Sequence, residues 1–174
     1  MTKMLLLIII VILTITIASC SAWGTNMSIL RENNGEIADK TFNEIIDAIR
    51  RKDISKIADM FCATIKSEDA LYESASKFIE YIHGDIISFS SASEAGVGAD
   101  YKTEYGKKKK EIQASFTIVT SERKYYLAIK ECTRDDFDEN NIGIISIYII
   151  EASNWTVDYV YRGGGQWIPG IHIH

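Results

Sequence analysis

EIQASFTIVT (111–120) is the stretch whose reading decides the fold. Ile112, Ala114, Phe116 and Ile118 alternate with Gln113, Ser115 and Thr117, the period-two pattern of a strand with one buried and one wetted face. Lys124 to Cys132 follows after a short polar turn, so the two runs predict an antiparallel hairpin. Ile142 to Glu151 is apolar in both phases: Ile145, Ile147 and Ile149 occupy one, and Ile144, Tyr148 and Ile150 the other. A strand of that kind belongs inside a sheet, covered on both sides. Trp155, Val157, Tyr159 and Tyr161 alternate with Thr156, Asp158 and Arg162 in a last half-buried strand, and Gly163 to Gly165 release the chain into a tail. Trp167, Ile168, Ile171 and Ile173 make that tail too apolar for a free end. It is expected to pack on the sheet or on a second copy in a weak homodimer.

Upstream the period changes to that of helices. Ala38, Phe42, Ile45, Ile46 and Ile49 mark an amphipathic helix over Glu36 to Arg51. Asp53 is placed to cap a second helix, with Ile54, Ile57, Ala58, Phe61 and Ile65 as its stripe and its end near Lys66. Ser67 then caps a third, with Leu71, Ala75, Phe78, Ile79 and Ile82 as the buried face and Gly84 as the stop. Ile86 to Phe89 reads as a short strand, Ser90 to Ala99 as a loop, and Tyr101 to Tyr105 as another strand. The expected fold class is α+β, with three N-terminal helices packed on an antiparallel sheet.

The first residues carry an address. Lys3 precedes an apolar run from Met4 to Ile17 that is short for a permanent span, as in a secretory signal. The run ends in Ile17-Ala18-Ser19-Cys20, which resembles the bacterial lipobox, where two small residues precede the cysteine that is acylated. Residues 1–19 are then the signal peptide, Cys20 the lipid anchor, and 20–35 a tether. An ordinary signal peptide with an incidental cysteine, or an uncleaved membrane anchor, is the competing account. Two or three acyl chains hold a protein on a membrane stably. The expected location is therefore the extracytoplasmic side of the cell membrane.

Over 174 residues, 47% apolar, the chain has material for one sizeable core. Losing residues 1–19 removes Lys3 and no acidic residue, taking the net charge from −5 to −6, which argues against nucleic acid as a partner. Cys62 and Cys132 permit one disulfide without requiring it, since both fall on apolar stripes where a thiol behaves as a small core group.

Arg51-Lys52-Asp53-Ile54 with Met60-Phe61, and Ile82-His83-Gly84-Asp85-Ile86 at a helix-to-strand join, resemble secreted lipoproteins of unknown function from Gram-positive bacteria. Those are similar to the nuclear transport factor 2-like, or cystatin-like, cone fold. The resemblance covers about residues 36–162 and implies a cone domain whose curved sheet wraps the helices and encloses a pocket, with 163–174 as an appended tail. It transfers no catalytic residue, and no cofactor.

Candidate chemistry is sparse. Tyr125, Tyr126, Tyr148, Trp155, Tyr159 and Tyr161 lie on adjacent expected strands and offer ring faces and hydroxyls to line a ligand pocket, with core packing the competing account. His172 and His174 share one face of an extended tail, and Asp136, Asp138 and Asn140 have calcium-loop spacing. The latter lack the glycine and the bidentate glutamate, with Asn141 and Ile147 in those places, so no metal is assigned. Lys107 to Lys110 reads as a solvated edge or a contact to anionic headgroups. There is no serine elbow, phosphate-binding glycine loop or CxxC pair. The sequence points to a membrane-tethered domain that binds a small ligand or an extracytoplasmic protein. The alternative is an isomerase, dehydratase or hydrolase with its site in the cone.

Overall fold

The computed structural model describes residues 33–68, 70–92, 96–155 and 167–174. Helix α1 spans Asn34–Arg51 and buries Ala38, Phe42, Ile45, Ile46 and Ile49, the stripe its periodicity marks. It closes through Lys52, which takes a left-handed φ of 53° while the Asp53 and Lys52 N–H groups return to the carbonyls of Ala48 and Ile49. Three shorter pieces follow: α2 (Ile54–Asp59), α3 (Ala63–Lys66) and α4 (Leu71–Tyr81).

The strands are β1 (Ile86–Phe89), β2 (Val97–Glu104), β3 (Lys107–Thr120), β4 (Lys124–Asp135), β5 (Gly143–Glu151) and β6 (Gly170–Ile173). They form one mixed sheet in the order β1-β3-β4-β5-β6, with β2 also paired to β3. The β3–β4 hairpin forms with Phe116 opposite Leu127 and Ile118 opposite Tyr125. Alternation then sorts the side chains. Ile112, Ala114, Phe116 and Ile118 of β3, Leu127 and Ile129 of β4, and Ile147 and Ile149 of β5 join the stripes of α1 and α4 in one core. Phe42 and Phe116 stack at its centre, ring centroids 3.9 Å apart, and Phe89 meets Phe42 edge-on at 5.5 Å.

The expectation of three helices on an all-antiparallel, cystatin-like cone does not hold. The segment expected to be one helix from Asp53 to Lys66 is broken at Phe61–Cys62, which joins the sheet. Phe61 bridges Ile144 in parallel, the Cys62 N–H donates to the Ile144 carbonyl at 3.0 Å, and the Ile144 N–H donates to the Met60 carbonyl at 2.9 Å. Those backbone groups cannot serve a helix and a strand at once. Gly143 makes the approach feasible, since a Cβ there would lie 2.8 Å from the Cys62 nitrogen, and its φ of +128° suits glycine. Ser67 does not cap the next helix either. It ends α3, its hydroxyl donating to the Thr64 carbonyl, and Ala70 stands at the start of α4. The sheet is mixed because β6 runs parallel to β5, Ile147 facing Ile171 and Ile149 facing Ile173. What remains of the expected class is α+β with one long helix.

Cys62 and Cys132 are both buried free thiols. Lys107 to Lys110 opens β3 instead of forming a solvated run: Lys109 reaches Glu111 at 2.8 Å and Asp135 at 3.6 Å, and Lys110 is buried. Among the described residues no helix is long and apolar enough to cross a membrane; the run Met4–Ile17 and Cys20 lie outside the described residues.

Candidate functional site

The core face of β4 reads Tyr125, Leu127, Ile129, Glu131. The fourth member breaks the apolar sequence with a carboxylate at 8% exposure. Glu131 stands close to a register slip on each side. Toward β3, Cys132 pairs with Glu111 and Arg134 with Lys110, leaving Thr133 as the extra residue. Toward β5, Lys130 pairs with Ser146 and Glu131 with Ile144, leaving Ile145 unpaired. The bulges at Thr133 and Ile145 bend the strand ends, and beside them a space lies between the sheet, α1 and α2.

That space is a cleft of about 290 Å³ lined by Thr41, Glu44, Lys56, Asp59, Met60, Glu131, Gly143 and Ile144. Thr41 and Glu44 are three apart on α1 and so share a face. Lys56 and Asp59 are likewise three apart, at the end of α2, and Met60 leads into the Phe61–Cys62 crossing. The break in the expected second helix is thus what builds one wall. On the inner side of Glu131, the space among Ala38, Ile112, Ala114, Phe116 and Ile129 is too small to admit a water molecule. Glu131 therefore separates a dry interior from an open cleft.

Its two oxygens are treated differently. The Thr41 hydroxyl donates to Oε2 at 2.8 Å. Among the described residues Oε1 has no hydrogen-bond partner. Burial pushes the Glu131 carboxyl up to about 7; Glu44 adds to the rise, while the Thr41 hydrogen bond and the Lys110 charge oppose it. At the mouth, Lys56 Nζ donates to Glu44 at 2.6 Å, and both side chains are more than two-fifths exposed.

Residues 44–152 match the domain of unknown function DUF5104. The chain belongs to the DUF5104 family. Every lining residue of the cleft except Thr41 falls inside the DUF5104 domain, whereas β6 lies beyond it. No curated protein matches the chain.

The aromatic residues singled out from the sequence are not brought together. Tyr125 is on the core face of the DUF5104 domain, its hydroxyl accepting from the His83 N–H at 2.9 Å and donating to the Tyr81 carbonyl at 3.1 Å. That bond pair fastens the end of α4 to β4. Tyr126 and Tyr148 project from the other face. Tyr126 meets Trp155 edge-on at 6.4 Å, while Tyr148 packs against Trp167 and stacks on His172 at 4.5 Å. Tyr159 and Tyr161 lie outside the described residues. His172 directs Nε2 at the carbonyls of Ile168 and Pro169, and the His174 ring stacks beyond Tyr148 at 5.8 Å. Asp136 holds Arg134, and Asp138 caps the turn Glu139–Asn141. Among the described residues no group of three or more His, Cys, Asp or Glu is placed to hold a metal ion.

Sequence reasoning missed Glu131, although the signal was present. A glutamate in the apolar phase of a strand is a buried carboxylate by alternation alone. Thr41 and Glu44 gave no such signal, because both read as the polar side of an amphipathic helix.

Proposed function

We propose that the chain is a lipid-tethered, extracytoplasmic binding domain of the DUF5104 family, anchored through Cys20 and taking a small ligand in the Glu131 cleft. One observation carries the ligand site: among the described residues a buried carboxyl keeps one oxygen unengaged beside a cleft with room for a small molecule. The core supports a binding role over a cavity enzyme, because Phe42 and Phe116 fill the space between α1 and the sheet. The resemblance to secreted lipoproteins and the lipobox at Ile17 to Cys20 support the anchor.

A second reading, an isomerase, dehydratase or hydrolase, is favoured by the ionisation of Glu131 near neutral pH, the range a general acid or base needs. Against it, the tyrosine on the same face, Tyr125, has its hydroxyl committed to His83 and Tyr81.

Two measurements test the proposal. Cys20→Ala should release the protein from membranes or block its maturation; a variant that fractionates and matures like wild type removes the anchor. An amide-resolved NMR screen with a mixed fragment set should perturb Thr41, Glu131 and Ile144. Perturbations confined to Tyr126, Tyr148 and Trp155 would move the site to the other face of the sheet.

A further inference from the structure

The lining of the cleft specifies a charge. Of its three carboxyl groups, Glu44 is held by Lys56 at 2.6 Å and Asp59 by Lys66 at 3.9 Å, so among the described residues Glu131 is the one with no ion pair within 4.0 Å. Lys110 is near enough to act on Glu131 but is not among the lining residues. Met60 and Ile144 add two apolar side chains. A metal ion needs several converging ligands, and no such group occurs among the described residues. An alkyl ammonium asks for less: a hydrogen-bond acceptor with negative charge, and apolar surface for its chain. Oε1 of Glu131 supplies the first, and Met60 with Ile144 the second.

We propose that the cleft receives a small organic cation, an ammonium on a short alkyl chain, with the charged head against Oε1 of Glu131 and the chain against Met60 and Ile144. This inference rests on the cleft being the binding site proposed above. Capture is coupled to pH, since a protonated Glu131 offers no charge. The charged groups around it are Glu44 on α1, Lys110 on β3, and Lys56 and Asp59 on α2, together with the Thr41 hydroxyl. With Glu131 titrating near 7, affinity should fall about tenfold from pH 8 to pH 6, and binding at neutral pH should release a fraction of a proton.

The test is calorimetric and NMR titration of the full chain in a non-ionic detergent with n-butylammonium, n-butyrate and n-butanol. The expected result is saturable binding of n-butylammonium alone, with shifts at Thr41, Glu131 and Ile144 and the tenfold loss toward pH 6. Glu131→Gln should weaken binding at least tenfold at pH 8 and flatten the pH profile. Thr41→Val removes the donor that favours the ionised form, so it should move the binding midpoint to higher pH while binding at pH 9 persists. Equal binding of n-butyrate or n-butanol, or a wild-type profile flat from pH 6 to 8, overturns the ammonium assignment. If the mixed fragment set still perturbs the cleft, the binding site survives and only the ligand class is wrong. If nothing perturbs the cleft, both readings fall together.

Discussion

Glu131 and Asp135 are four residues apart on β4 and almost equally hidden, at 8% and 3% exposure, yet they are opposite kinds of carboxylate. Asp135 accepts from the Phe137 N–H at 2.9 Å, the Asp138 N–H at 3.1 Å and the Asn141 amide at 3.0 Å, with Lys109 at 3.6 Å. Burial raises its pKa, but the Asn141 amide, the two backbone donors and the Lys109 charge outweigh it and hold the carboxyl below its ordinary value. Among the described residues Glu131 accepts one hydrogen bond, and burial wins. The difference teaches that low exposure alone does not set the state of a carboxylate: Asp135 lies near the surface among several donors, and Glu131 lies deep with one among the described residues. Asp135 is spent on closing the loop between β4 and β5, and Glu131 is left able to meet a ligand.

The contrast is broken most severely at Gly143, which follows the loop closed by Asp135 and also lines the Glu131 cleft. Gly143→Ala puts a methyl into the Phe61–Cys62 backbone and forces alanine into a φ of +128°, so about 4–5 kcal/mol should be lost in urea unfolding. A loss under about 1 kcal/mol would show that the Phe61–Cys62 crossing does not press on β5. Next in size is Asp135→Ala, which strands three donors and should cost about 3–4 kcal/mol at pH 7. Its pH dependence carries a sign. Asp135 has a depressed folded pKa, so its contribution is present above its ordinary value and is lost as pH falls through the folded one.

Glu131 should behave in the reverse sense. Its folded pKa is raised from 4.5 to about 7, so the stability it favours is complete below 4.5 and is lost as pH rises through 7. Glu131→Gln, neutral throughout, should therefore be more stable than wild type at pH 8 by about 3 kcal/mol and near wild type at pH 4. Thermal unfolding across that range checks it. A variant with a constant offset at every pH would mean that Glu131 titrates alike in the folded and unfolded chain and that the contrast with Asp135 is not one of ionisation.

Much of this was legible from local pattern. Phe42 with Ile45, Ile46 and Ile49 reports the buried face of α1, and Ile112 to Ile118 that of β3, because a repeating backbone carries its side chains to one side at a fixed period. The separation of Tyr125 from Tyr126 was legible too, since neighbouring positions of one strand face opposite ways. Phe61 was not. It completes the helical stripe Ile54, Ile57, Ala58, yet it sits in a strand bridge, and nothing within several residues of it says so. The partner that takes its backbone, Ile144, is brought there only by the β4–β5 pairing.

The sequence by itself determined the helical period of α1 and α4, the alternation of β3, the two-sided apolar run of β5, and the position of a carboxylate in the core phase of β4, because each of these is a property of consecutive residues. Tertiary structure alone decided that the second helix would break, that the tail strand would run parallel, and that Glu131 would keep an open oxygen while Asp135 lost both. Those outcomes depend on which backbone and side-chain donors arrive from distant segments, and a hydrogen bond made across the fold leaves no period in the chain.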